Sequence, residues 1–192
     1  MDVRTYFLLL HEEAHWTGKA RRVFDVPTPE QCRAVLPGHN SIAWCIWHIA
    51  IGEDWAIATL RGKEQLVRRD GWEARLGVTW PTFGMGMTST EVAQLSAAID
   101  LEVLREYYRA VYEETRRFVQ TLDFDTLERP LDPQRSQHAL DLLGGDETMR
   151  TFLTSWTTPR HYLHIMTLMD VYYHLDEADH MVRMLLPERR FT

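Results

Sequence analysis

Residues 41–62, SIAWCIWHIAIGEDWAIATLRG, constrain the fold more than any other part of this chain. Set out at helical spacing, the first half of the segment is apolar nearly all the way round, and a helix of that kind is buried on most of its sides. Three other stretches carry helical periodicity, and strand-like alternation is nearly absent. One runs over 3–24, with Val3, Phe7, Leu10, Ala14 and Thr17 on one stripe, and ends before Pro27 and Pro29. The buried helix follows over 41–61, with Asn40 as its expected N-cap. A third covers 89–122, opened by Thr88 and Glu91 at the spacing of a capping box. In it Leu104, Tyr108, Val111, Thr115, Phe118 and Leu122 recur at helical intervals. The fourth covers 147–185, with a kink expected near Pro159, where a backbone donor is missing.

These segments predict an all-α chain forming one domain over 1–192, a four-helix bundle whose two long connections rule out simple up-down-up-down order. The connection 63–87 holds Trp72, Trp80 and Phe83 among glycines and prolines. It reads either as a lid or as a crossover that packs its aromatics on the outside of the bundle, the second being favoured.

Composition removes several functions. The chain has 45% hydrophobic and 26% charged residues, an ordinary globular balance, with a formal net charge of -7. Nucleic acid is a poor partner for such a surface, because phosphate binding needs clustered positive charge. Each basic pair, such as Arg116-Arg117, sits beside acids. Cys32 and Cys45 cannot make a disulfide framework, and no apolar run approaches a membrane span. The opening MDVRTYFLLLHEEAH breaks too early for a signal peptide. The expected location is cytoplasmic.

The nine histidines carry the chemistry. His48 lies among Trp44, Ile46, Trp47, Ile49 and Ile51, where unpaired ring nitrogens are costly. His161 and His164 lie three apart on one face of the last helix. Three histidines from two helices match an open metal site with a free position for water or substrate, and imidazole suits zinc, nickel, iron or copper. Cys45, one turn before His48, reads as core filler. His11-Glu12-Glu13-Ala14-His15 formally matches H-E-x-x-H, but no sheet accompanies it, and a partly solvated helix face explains it better. Glu12…His15 and Glu177…His180, with Glu53 and Glu113 or Glu114, sketch a ferritin-like di-iron site. The acidic run at 175–179 reads as surface and weighs against it.

The segments N-S-I-A-W-C-I-W-H-I-A-I-G-E-D-W and T-P-R-H-Y-L-H-I-M together resemble the signature stretches of the DinB-like metalloprotein superfamily, which includes bacterial low-molecular-weight-thiol transferases. The resemblance implies an up-down-down-up bundle with His48, His161 and His164 as metal ligands. Many members space the last pair H-x-x-x-H; Arg160-His161-Tyr162-Leu163-His164 is closer to the R-H-x-x-H of a thiol-transferase-like branch. The family-like H-I-A-x-x-E-D-W context gives Glu53 a role beside the metal, as an orienting or proton-accepting group. The implied function is a metal-dependent transferase or hydrolase acting on a small molecule, using a divalent ion (zinc or nickel ahead of iron) and a small thiol. A non-enzymatic, stress-associated binding protein is the alternative. Apolar surplus on the long helices makes a homodimer an expectation.

Overall fold

The computed structural model describes residues 1–16, 18–79, 82–141, 150–151 and 153–187, the side chain at 138 excepted, and among them every regular element is helical. In chain order these are α1 (Val3–Trp16), α2 (Gly18–Asp25), α3 (Pro29–Arg33), α4 (Ile42–Arg61), α5 (Leu66–Arg69), α6 (Trp72–Leu76), α7 (Ser89–Ala98) and α8 (Leu101–Thr121). A 3-10 turn at Phe124–Thr126 and α9 (Pro133–Asp141) follow. The C-terminal rod joins α10 (Pro159–His161), a π-helical stretch (Tyr162–Met169) and α11 (Asp170–Leu185). No helix is long and apolar enough to cross a membrane, among the described residues.

Helix α4 is the axis of the molecule. Every residue from Ile42 to Leu60 is buried, because α8, α11, the π-helical stretch and α9 all pack on it. Its N-cap is Ser41, whose hydroxyl accepts from the Trp44 N–H, one residue later than expected. Asn40 instead donates its backbone and side-chain N–H groups to Glu177 on α11. At the other end Gly62 takes the left-handed conformation that closes the helix.

Two carboxylates inside so apolar a helix need partners. Asp54 has three: the N–H groups of Leu66 and Val67 at 2.7 and 2.8 Å and the Tyr107 hydroxyl at 2.8 Å. It thereby caps α5 and ties α4 to α8. Burial still dominates and raises its carboxyl to about 6. Glu53 is treated with the site.

The expected helix over 89–122 is two helices. The Thr88–Glu91 capping box forms as anticipated, but the chain turns at Ile99, and Asp100 caps α8 through the N–H groups of Glu102 and Val103. The expected helix over 3–24 also divides, into α1 and α2. Pro159 does not kink a continuing helix. Thr158 is extended and Pro159 occupies the first turn of α10, where its missing N–H costs nothing. Residues 142–149 of the expected fourth helix lie outside the described residues. The segment 63–87 builds α5 and α6 and packs its described aromatics inward: Phe83 is buried and Trp72 lies against Tyr107.

Candidate metal centre

His48 sits near the middle of α4 with 1% of its surface exposed. Its Nδ1–H donates to the carbonyl oxygen of Phe83. A carbonyl can only accept, so Nδ1 carries a proton and in the neutral ring the lone pair is on Nε2. Trp44, one turn earlier, stacks on the same ring at 4.5 Å between centroids. Nε2 faces α11, where it stands 3.6 Å from Asp170 Oδ2.

Helix α11 supplies the other half. His174 donates its Nδ1–H to Glu177 Oε2 at 2.9 Å, again leaving Nε2 free, 3.6 Å from Asp170 Oδ1. The two rings are 4.3 Å apart. Asp170 Oδ2 is buried without a hydrogen-bond partner. Burial alone would push the Glu177 carboxyl up, but its bond to His174 and the two bonds from Asn40 outweigh it and hold it at about 2.

The donor set fits a divalent ion. One ligand atom from each of His48, Asp170 and His174 lies within 4.8 Å of the others, and ligand atoms ~2.1 Å from a tetrahedral ion stand about 3.4 Å apart. The orphaned Asp170 oxygen is the atom an ion would satisfy. Each ring is oriented by an acceptor on its far nitrogen, the arrangement usual for metal-ligating histidine. Gly52, one turn after His48, lets the rods approach: a Cβ there would lie 2.6 Å from Met166 Cε and 4.0 Å from Asp170 Oδ2. Gly84 closes the loop over the site at φ +91°, and a Cβ there would meet Trp47 at 2.7 Å. Cys45 lies beside His174 and Glu177, fully buried in α4, and burial pushes its thiol well above the ordinary range.

The structure does not bring His161 and His164 to His48. His161 turns its Nδ1 to the Thr158 hydroxyl at 3.0 Å. His164 is exposed and lines a surface groove with Tyr6, Phe7, Leu10 and Phe124. Neither belongs to a cluster of metal-ligating groups among the described residues. Both lie on or before the π-helical stretch, whose wider turn shifts the register of the rod and leaves Asp170 and His174 opposite α4.

Glu53 is not beside His48 either. Five residues of α-helix turn the side chain about 140° around the axis, and Glu53 faces α1 and α8. There His11 Nε2 donates to its Oε1 at 2.9 Å, the Thr115 hydroxyl donates to the same oxygen, and His15 Nε2 stands 3.0 Å from Oε2. His11, His15 and Glu53 are all buried, so the H-E-x-x-H face expected to be partly solvated carries its two histidines inward. Burial opposes ionisation of Glu53, yet the two imidazoles hold its carboxyl well below the usual range. Burial likewise pushes His15 down, towards neutral imidazole. The di-iron arrangement is not assembled: Glu12 and Glu113 are exposed, Glu114 pairs with Arg61, Arg69 and Arg117, and His180 lies beside His39.

The sequence matches the family model of the DinB superfamily over residues 13–175. The chain belongs to the DinB superfamily. A solved structure described as a conserved protein from Enterococcus faecalis is similar, with a TM-score of 0.71 and 16% identity over 97% of this chain and 99% of that one. At that identity the likeness speaks to the fold. No curated protein matches the sequence. Asp170 and His174 stand four residues apart on α11, and an acid four residues before a histidine on a helix is common, so the pair gave no signal in the sequence.

Proposed function

We propose that this chain is a metal-dependent enzyme acting on a small molecule, with a divalent ion held by His48, Asp170 and His174. The observation that carries the reading is the facing of two Nε2 lone pairs and one orphaned carboxylate oxygen, with both Nδ1 atoms already committed. Two histidines and a carboxylate match catalytic zinc sites that keep a free position, and also the facial triad of non-haem iron; zinc and nickel rank first, iron after them. When bound, such an ion lowers the pKa of a water or thiol and polarises an electrophile.

The protein's own groups do the remaining work. Phe83 and Glu177 fix the tautomer and direction of the two rings. Trp44 and Phe83 keep water from the inner face of His48. The Asp170 side chain is 18% exposed and Tyr173, whose ring meets that of His174 at 4.9 Å, is exposed. Substrate therefore reaches the site from the α11 side. Resemblance to thiol-transferase relatives makes transfer of a small thiol, or hydrolysis, the reaction class, with the chain acting as a homodimer in the cytoplasm.

Elemental analysis of freshly purified protein, followed by a thiol–electrophile conjugation assay, tests this. Wild-type protein should carry metal and turn over, while His48→Ala and Asp170→Ala should lose turnover and one equivalent of metal with helicity intact. Turnover that survives complete removal of metal contradicts the proposal.

A further inference from the structure

The cluster under α1 is not used by the site just described, and its polar atoms are left unusually incomplete. His11 Nδ1, His15 Nδ1, His15 Nε2, Glu53 Oε2 and the Tyr108 hydroxyl are all buried without a hydrogen-bond partner. They belong to one neighbourhood: the two imidazole rings are 4.4 Å apart, and Tyr108 is 5.2 Å from His15. Native interiors rarely tolerate such orphans, and a concentration of them marks an unlocated ion or water.

We propose that His11, His15 and Glu53 form a second, closed binding site for a zinc-class divalent ion, which locks α1 onto α4. The ligand types suit it: two imidazoles one helical turn apart and an acid from the facing helix. The Nε2 atoms stand 2.9 and 3.0 Å from the two carboxylate oxygens, slightly inside the ~3.4 Å expected around a tetrahedral ion, so the carboxylate withdraws by a few tenths of an ångström on binding. An ion there engages His15 Nε2 and Glu53 Oε2, which stand 3.0 Å apart without an aligned hydrogen bond between them. The Thr115 hydroxyl donates to Glu53 Oε1 and holds the carboxylate in place.

Burial separates this site from the first in role. His11, His15 and Glu53 are at most 1% exposed, so no substrate reaches them, whereas Asp170 borders solvent. Among the residues of α1 only His11, Ala14 and His15 are buried. Phe7, Leu8 and Trp16 add a partly buried apolar grip, and an ion on His11 and His15 would couple metal binding to the docking of the helix.

The test uses the full chain with the first site emptied by His48→Ala and Asp170→Ala. Stripped, re-equilibrated with zinc and desalted, this variant should retain one zinc per chain, and zinc should raise its Tm. No retained zinc and an unmoved Tm overturn the proposal. Adding Glu53→Gln, which keeps the size of the side chain, should abolish both effects; undiminished retention overturns it equally. Cobalt(II) added to the folded double variant gives a reading independent of whether Glu53→Gln folds. Intense visible bands of a four-coordinate ion are expected there, and the pale spectrum of the hydrated ion refutes the site. Because the first site is removed at the outset, failure here leaves the enzymatic reading intact, and failure of that reading leaves this count unchanged.

Discussion

Glu177→Gln replaces one carboxylate oxygen by NH2 without changing the size of the side chain, and the surroundings dictate the consequence. Oε1 accepts from the Asn40 backbone N–H at 3.3 Å and from Asn40 Nδ2 at 2.9 Å, while Oε2 accepts from His174 Nδ1 at 2.9 Å. These neighbours are all donors, and an amide has only one oxygen for them. Keeping that oxygen on Asn40 preserves two bonds and sets the NH2 against His174. The ring answers by moving its proton from Nδ1 to Nε2, the atom facing Asp170. A protonated Nε2 has no lone pair for a metal. Loss of such an orienting partner typically lowers metal affinity 10–100-fold, roughly 1.4–2.7 kcal/mol. Competition for zinc against a chromophoric chelator measures the change, with circular dichroism to verify the fold. An affinity within about threefold of wild type, below that range, refutes the tautomer argument.

Three further outcomes follow from the same geometry. His161→Ala and His164→Ala, separately or together, should leave metal content unchanged by elemental analysis; loss of metal in either would return them to the ligand set. Gly84→Ala forces a side chain into φ +91° and onto the Trp47 ring at 2.7 Å, which should cost about 1–3 kcal/mol in urea unfolding and weaken zinc binding by moving the Phe83 carbonyl. Burial raises the Asp179 carboxyl, but bonds from Arg22 and Arg183 overcome it and hold the group below its usual value. A depressed folded pKa means that this stability is complete above the unfolded value of ~3.9 and fades as pH falls through the folded one. Asp179→Asn should therefore cost about 1.5–3 kcal/mol at pH 7, with the gap to wild type closing below about pH 4; thermal melts across pH would expose a constant gap, which refutes this.

Local chemistry in the sequence carried much of the fold. The apolar girdle of 41–61 and the Thr88–Glu91 box announced α4 and α7, because caps and periodicity act within a few residues. The break at Asp100 was written in the same chemistry, an N-cap acid, but lay inside a periodic run that masked it. Asn40 and Ser41 are both good caps, and only the distant Glu177 decides between them. His48 was legible as a buried histidine in need of a partner. Its partners were not, since Asp170 is one acid among many and the π-helical stretch between His161 and Asp170 spoils any count of faces at 3.6 residues per turn. The histidine pair at 161 and 164 was conspicuous in sequence and elsewhere in space. Glu53 read as a neighbour of His48 and the His11/His15 pair as a partly solvated face; that they meet in the interior is a long-range contact between α1 and α4 that no local pattern announces.

The most direct measurement of the central claim is an anomalous difference map from crystals of zinc-loaded protein, recorded on both sides of the zinc absorption edge. The account predicts a peak bonded to His48 Nε2, His174 Nε2 and the Asp170 carboxylate. A map that is flat there, or whose zinc lies on His161 and His164, contradicts it.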